Sequence, residues 1–293
     1  MSISMSSNFS PEIVSAIFST VKGHSSLVKL SGRVPVKFSG TDIFVFSLDD
    51  EVNIVAEGGQ KTEGASASAP VKMTPIKVEY GARVTDEFMY ASEERKLDIL
   101  SAFIDGYGKK ISRGLDIMAF HGLNPRNKSV AASIGTKCFD RDTDVSAVTY
   151  VSGSELAALN TAIAAIGDND NTGFALSKGF AAALSQVTIG NSTPFAGFMF
   201  GGNPGSLNGI AADVNSTVSF TGSAAGSPTD QAIIGDFANA FKWGYAKEIP
   251  FEIIPYGDPD GNGDLKRTNQ IFIRAEAWIG WAILDPTAFA RIA

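Results

Sequence analysis

Between Glu93 and His121, apolar residues return every three or four positions: Leu97, Leu100, Ile104, Tyr107, Ile111, Leu115 and Met118. That spacing lays one apolar stripe along a helix roughly 40 Å long, well beyond the usual three turns. Gly106, Gly108 and Gly114 fall inside the run, and each costs on the order of 1 kcal/mol relative to alanine. Packing must therefore sustain the helix, and the glycines read as points of close backbone approach. Asp98, Asp105, Lys109, Lys110, Arg113 and Asp116 go to the other face, wet or turned towards a charged partner. Periodicity alone fits a long core helix of any globular domain as well as a structural spine.

On the N-terminal side, residues 1–40 read as an arm. A short helix is predicted over 11–21, with Ser10 as its cap and Pro11 in the first turn. Lys22, Lys29, Arg33 and Lys37 outweigh Glu12, so the arm is mildly basic, either a solvated extension or a segment lying over a neighbour. From Asp42 the period becomes two. Ile43, Phe44, Val45 and Phe46 begin a strand, and Val52, Ile54 and Val55 continue or return it. Residues 57–70 are small and polar, and nothing in them supports a core. Alternation resumes with Val71 and Met73, then Ile76, Val78, Tyr80, Ala82 and Val84; Pro75 suits an edge strand or a bulge. Two alternating runs around a polar tip make a long hairpin. Such a hairpin is not stable alone in water, so it must lie on something.

Beyond the long helix, residues 122–144 are irregular, with Asn124 and Pro125 as a turn. Helices are predicted over 156–166, capped by Ser152 or Ser154 and ended at Gly167, and over 178–186. A buried strand is expected at 174–176, with short β runs at 195–200 and 214–220. Strands follow at 232–234, through Trp243, and at 249–254. The last strand, 270–284, turns Ile271, Ile273, Ala275, Ala277, Ile279 and Trp281 inward, before Asp285 caps a turn opened by Pro286.

Composition narrows what this α+β chain can be. A length of 293 residues allows a sizeable core, and 30 glycines imply many turns. A net charge of −7 argues against a reader of nucleic acid that grips phosphates. With Cys138 alone there is neither a disulfide framework nor a multi-cysteine metal site. The first residues lack the basic start and apolar core of a signal peptide, and no run reaches the length of a membrane span. A soluble protein made in the cytoplasm, with no membrane association, is expected.

Chemistry-bearing patterns are few. Asp258, Asp260, Asn262 and Gly263 match positions one, three, five and six of a Ca²⁺ loop, with Asp264 beside them. Position twelve is Asn269, a poor substitute for a bidentate carboxylate, and the segment joins strands rather than helices. An exposed turn explains it as well. The histidines are His24 and His121 only, and His121 sits where a helix C-terminus favours a cation. There is no G-x-S-x-G elbow, P-loop or G-x-G-x-x-G motif. Neither catalytic residues nor a cofactor are expected.

The order of elements then becomes informative. Val55-Ala56-Glu57-Gly58, the VTDEF run at 84–88, Leu207-Asn208-Gly209-Ile210, Ile234-Gly235-Asp236-Phe237 and the terminal IRAEAWIGWAILDPTAFARI at 273–292 occur in sequence over most of the chain. Together they resemble the tailed-phage major capsid proteins of the Hong Kong 97 fold. The resemblance implies an N-terminal arm at 1–40, an extended E-loop hairpin at 41–84, a peripheral domain with the spine at 85–150 and 231–293, and an axial domain at 151–230. It implies a shell of pentamers and hexamers in the virion, assembled in the host cytoplasm. That shell encloses double-stranded DNA without sequence-specific binding, alongside scaffold, portal and decoration proteins. A neighbouring subunit would cover the hairpin and receive the arm helix. Glu57, Lys61, Glu63, Lys266 and Arg267 are the expected contacts between subunits, the last two offsetting the acids at 258–264 of neighbouring copies. Some relatives link a hairpin lysine to a neighbour's asparagine, but no motif aligns Lys61 with Asn262. Two other readings remain open: an encapsulin-type nanocompartment of the same fold, and a calcium-stabilised binding module using residues 258–269.

Overall fold

A computed structural model describes residues 25–48, 52–64, 66–87, 93–222, 229–246 and 251–293. The helix expected at 11–21 lies outside them. The second part of the arm folds into its own subunit: a short helix, α1 (Ser26–Leu30), buries Leu27, Val28 and Leu30. The hairpin follows as β1 (Thr41–Leu48) and β2 (Ser66–Met73), antiparallel from Thr41 opposite Met73 to Leu48 opposite Ser66. After β3 (Ile76–Thr85) comes the spine, α2, with the bounds the periodicity set, Glu93–His121. Tyr107, Ile111, Leu115 and Met118 are buried and Ile104 is partly so.

The rest is built on two sheets. β11 (Gln270–Ile283) pairs with β3, with β10 (Phe251–Ile254) and with β9 (Phe241–Tyr245), all antiparallel. β3 is an edge strand, as Pro75 suggested. A six-stranded mixed sheet runs in the order β4 (Ser146–Val148), β12 (Phe289–Ile292), β8 (Ala232–Gly235), β5 (Gly173–Leu176), β7 (Ile210–Val214) and β6 (Ser206–Leu207). Helices α3 (Glu155–Ala165) and α4 (Lys178–Ser185) cover it.

This second sheet is a wall between two cores. Alternation sends Ile233, Ala175 and Phe289 to the core shared with the spine and β11, while Ile234, Phe174, Leu176, Ala290 and Ile292 face α3 and α4. On the spine side Phe139 is the hub, its ring 5.0 Å from Phe289 and 5.8 Å from Phe241. Because β8 and β12 belong to the wall, the sheet joins chain from both sides of the expected boundary at residue 230. No helix among the described residues is long and apolar enough to cross a membrane.

Several local expectations are corrected. Residues 66–70 are not part of a loop but of β2, and Pro70 sits opposite Phe44. Residues 52–55 form no strand. The run at 195–200 is a 3₁₀ turn (Ala196–Gly201), because the Gly197 carbonyl packs where a side chain on Gly202 would be, 2.2 Å from its Cβ position. A strand ends at Val214 rather than starting there, since the Asn215 side chain accepts from Thr217 N and turns the chain. The spine glycines mark no close approach at Gly106, where space is open, or at Gly114, where Pro125 is in ordinary contact at 3.6 Å. β12 was not foreseen, being four residues long and placed directly after the Pro286 turn.

One pair of glycines does serve close packing. Gly244 of β9 and Gly280 of β11 stand directly opposite each other, so their missing side chains open a trough on one face of the sheet. Residues 33–36 of the arm cross there. Val34 N donates to Trp243 O at 2.8 Å, and Val36 with Met73 fills the floor. A Cβ on Gly244 would lie 2.0 Å from the Val34 carbonyl, whereas one on Gly280 meets the flexible Met73 side chain at 3.0 Å. Gly244→Ala should therefore destabilise the subunit by about 1–3 kcal/mol, and Gly280→Ala by clearly less. Urea unfolding of the two variants checks this; equal stabilities would mean that the arm does not lie in the trough.

Candidate functional site

α1 is seated by charge and hydrogen bonds as well as by apolar contact. Ser25 caps it, accepting from Val28 N at 3.1 Å, and its Oγ donates to Asp116 Oδ1 at 2.5 Å. Ser26 N and Leu27 N donate to the same carboxylate at 2.8 and 3.2 Å, and Thr217 Oγ1 adds a fourth bond at 2.8 Å. Asp116, placed by periodicity on the wet face of the spine, is instead wholly buried. It occupies the N-terminus of α1, where a negative charge is favourable. Ser26 Oγ and Lys29 Nζ then reach Asp213 of β7 at 2.7 and 2.9 Å. One turn of helix thus ties the spine to the wall sheet.

The acidic turn at 258–264 is organised by Arg83 of β3. Its guanidinium donates to Asp260, approaches Asp258 at 3.4 Å, and also donates to Gly263 O at 2.9 Å and Gln270 Oε1 at 3.2 Å. It holds Asp260 well below the usual carboxylate range. A guanidinium therefore stands where the sequence pattern offers oxygens to calcium. Asp264 serves its own backbone, accepting from Lys266 N at 2.9 Å and Arg267 N at 3.1 Å, and Asn262 N leans on Asp260 at 3.3 Å. The acids are thus offset within the subunit rather than only by Lys266 and Arg267. Both of these are exposed, with Lys266 Nζ 3.9 Å from Asp86. Arg83 was missed because it reads as one more polar position in an alternating strand.

The hairpin carries several of the exposed large apolar side chains. At its base Val36, Met73 and Ala282 form a small core with Ile43 and Val71. Further out, Phe44 and Phe46 are 69% and 59% exposed on the other face of β1. Val52 and Ile54 near the tip are 94% and 95% exposed, and Glu57, Lys61 and Glu63 lie exposed in the same loop. A strand with apolar residues on both faces expects cover on both, and the subunit supplies it on one face at the base.

His121 ends the spine, as expected, but in a buried cluster rather than a solvated cap. Its Nε2 donates to Thr217 O and its Nδ1 faces Asp140 Oδ2, both at 2.8 Å. Asp230 lies beside Asp140, held by Arg291 at 3.2 Å, and burial, with the Asp140 carboxyl next, pushes it far above the usual carboxylate range. Burial also pushes the Cys138 thiol up to about 11, which leaves it unreactive.

A single family model, the phage capsid family, matches residues 9–293. The chain belongs to the phage capsid family. Among solved structures, this phage capsid protein is similar to one from Mycobacterium phage Ogopogo, with 30% identity, 92% of each chain covered and a TM-score of 0.76. It is also similar to one from Gordonia phage Cozz, with 25% identity over 92% of this chain and 86% of the other, TM-score 0.71. A capsid from a native GTA particle shares the fold at 12% identity over 93% and 89% of the two chains, TM-score 0.62. No curated protein sequence is detectably similar. The chain is a major capsid protein of the Hong Kong 97-type fold, a component of a virion shell.

The Asp116 seat has a pH signature. Burial raises the carboxyl from 3.8 to about 6 against four hydrogen bonds that lower it. A raised folded pKa means stability present in full below pH 4 and lost as the pH climbs to about 6, worth about 3 kcal/mol in total. Asp116→Asn does not titrate, so the gap in unfolding free energy between parent and variant should move in the variant's favour by up to that amount from pH 4 to pH 7. Urea titrations of unassembled subunits across that range measure it, and a gap independent of pH would contradict the assignment.

Proposed function

We propose that copies of this chain assemble, as pentamers and hexamers, into the icosahedral head of a tailed phage, through the β1–β2 hairpin. The observation that carries this reading is the exposed face bearing Phe44 and Phe46 on a hairpin that the described residues anchor at its base. Burying each phenyl ring under a neighbouring copy contributes about 1.5–3 kcal/mol, and repetition around a closed shell multiplies it. Glu57, Lys61 and Glu63 at the tip form the polar contacts of the same interface. Lys266 and Arg267 meet a further copy beside the acidic turn.

The division of labour follows the family pattern. Residues 1–40 act as the arm, 41–84 as the E-loop, 85–150 with 231–293 as the peripheral domain and 151–230 as the axial domain. The shell encloses double-stranded DNA without reading its sequence, and the net charge of −7 limits tight binding to the interior wall. Assembly takes place in the host cytoplasm with scaffold, portal and decoration proteins as partners.

Deleting residues 58–69 tests the reading. The deletion removes the tip and shortens β2 but leaves Met73 and the anchored base. The variant should stay folded by circular dichroism yet give at least about tenfold fewer shells by sedimentation and electron microscopy, since affinities fall tenfold for each 1.4 kcal/mol. A particle yield equal to the parent's would refute the role given to the hairpin.

A further inference from the structure

The end of the spine gathers three ionisable side chains into one buried cluster. His121, Asp140 and Asp230 are brought together from α2, from the loop after it and from the approach to β8, and their side chains are 1%, 5% and 0% exposed. One ligand-type atom from each lies within 4.8 Å of the others. Asp140 Oδ1 and Asp230 Oδ2 are buried without a hydrogen-bond partner among the described residues. Buried carboxylate oxygens left so are costly unless something cationic or protic sits between them.

We propose that His121 Nδ1, Asp140 and Asp230 bind a divalent transition cation of the Zn²⁺ type, which fastens the end of the spine to the wall sheet.

The orientation of the imidazole supports this. Thr217 O can only accept, so Nε2 carries the hydrogen and Nδ1 is the nitrogen turned to the two carboxylates. A backbone carbonyl fixing the far N–H is the usual outer partner of a metal-bound histidine. Arg291 holds Asp230 through Oδ1 at 3.2 Å and leaves Oδ2 for the ion. One imidazole and two carboxylates suit zinc or manganese better than calcium or magnesium, which prefer oxygen alone. The last turn of α2 presents carbonyl dipoles, which also favour a cation. Ligand bonds of about 2.1 Å in a tetrahedral site place ligand atoms roughly 3.4 Å apart, between the 2.8 Å that separates Nδ1 from Asp140 Oδ2 and the 4.8 Å that bounds the whole cluster, with water in the fourth position.

The charge balance is even. A ligating imidazole is neutral and the two carboxylates together carry two negative charges, which a divalent ion offsets.

The test uses the full-length protein, because the site lies within one subunit whatever its assembly state. Chelator-treated protein is titrated with Zn²⁺ by calorimetry in two buffers of different ionisation enthalpy. About one ion per chain should bind, and Asp230→Asn should weaken binding at least about 100-fold. If that variant fails to fold, zinc-edge X-ray absorption of the loaded parent decides, and one imidazole with two or three oxygens is expected. Absence of stoichiometric binding, retention of full affinity by Asp230→Asn, or a spectrum without imidazole would each overturn the site and leave a proton-sharing network only.

Discussion

A buried carboxylate must find donors or be expelled, and Asp116 finds four of them on two distant stretches of chain. The placement of the arm follows from that requirement. With residues 25–27 bound to the spine, α1 lies against β7, and the chain beyond it crosses the glycine trough between β9 and β11. The arm in turn supplies Val36 to the small core that anchors the hairpin beside Met73. A single satisfied charge thus determines where the hairpin leaves the subunit.

Assembly rests on what the subunit leaves unfinished. Its two main cores are closed by the wall sheet and β11, and the acidic turn is pinned internally by Arg83 through Asp258 and Asp260. Among the described residues the distal hairpin has no such closure: Phe44 and Phe46 face solvent on a two-stranded ribbon. In the assembly proposed above, this apolar face left open in the monomer is the means of association.

Elements with a long, clean period were legible from sequence: the spine to its end residues, β11 with its six inward side chains, and the outgoing strand of the hairpin at 43–46, though not the strand that returns to it. The order of short motifs led to the family. What stayed hidden depended on partners far along the chain. Asp116 shares a helix with Lys109 and Lys110, and nothing local separates a solvated aspartate from one receiving bonds from residues 25–27 and 217. Arg83 and Asp260 lie 177 residues apart, so a turn that reads as a cation loop was already claimed by a guanidinium. β12 gains its place only through β8 and β4, neither of which is adjacent in sequence. The Ser25–Ser26 pair before an apolar run was the one available signal for α1, as a helix cap.

Electron cryo-microscopy of shells purified from cells producing the chain tests the central claim most directly. The account predicts closed icosahedral particles in which the β1–β2 hairpin of each copy lies on a neighbour, with Phe44 and Phe46 buried beneath or against it. Closed shells in which both phenyl rings remain in solvent, with subunits joined only through other surfaces, would contradict it.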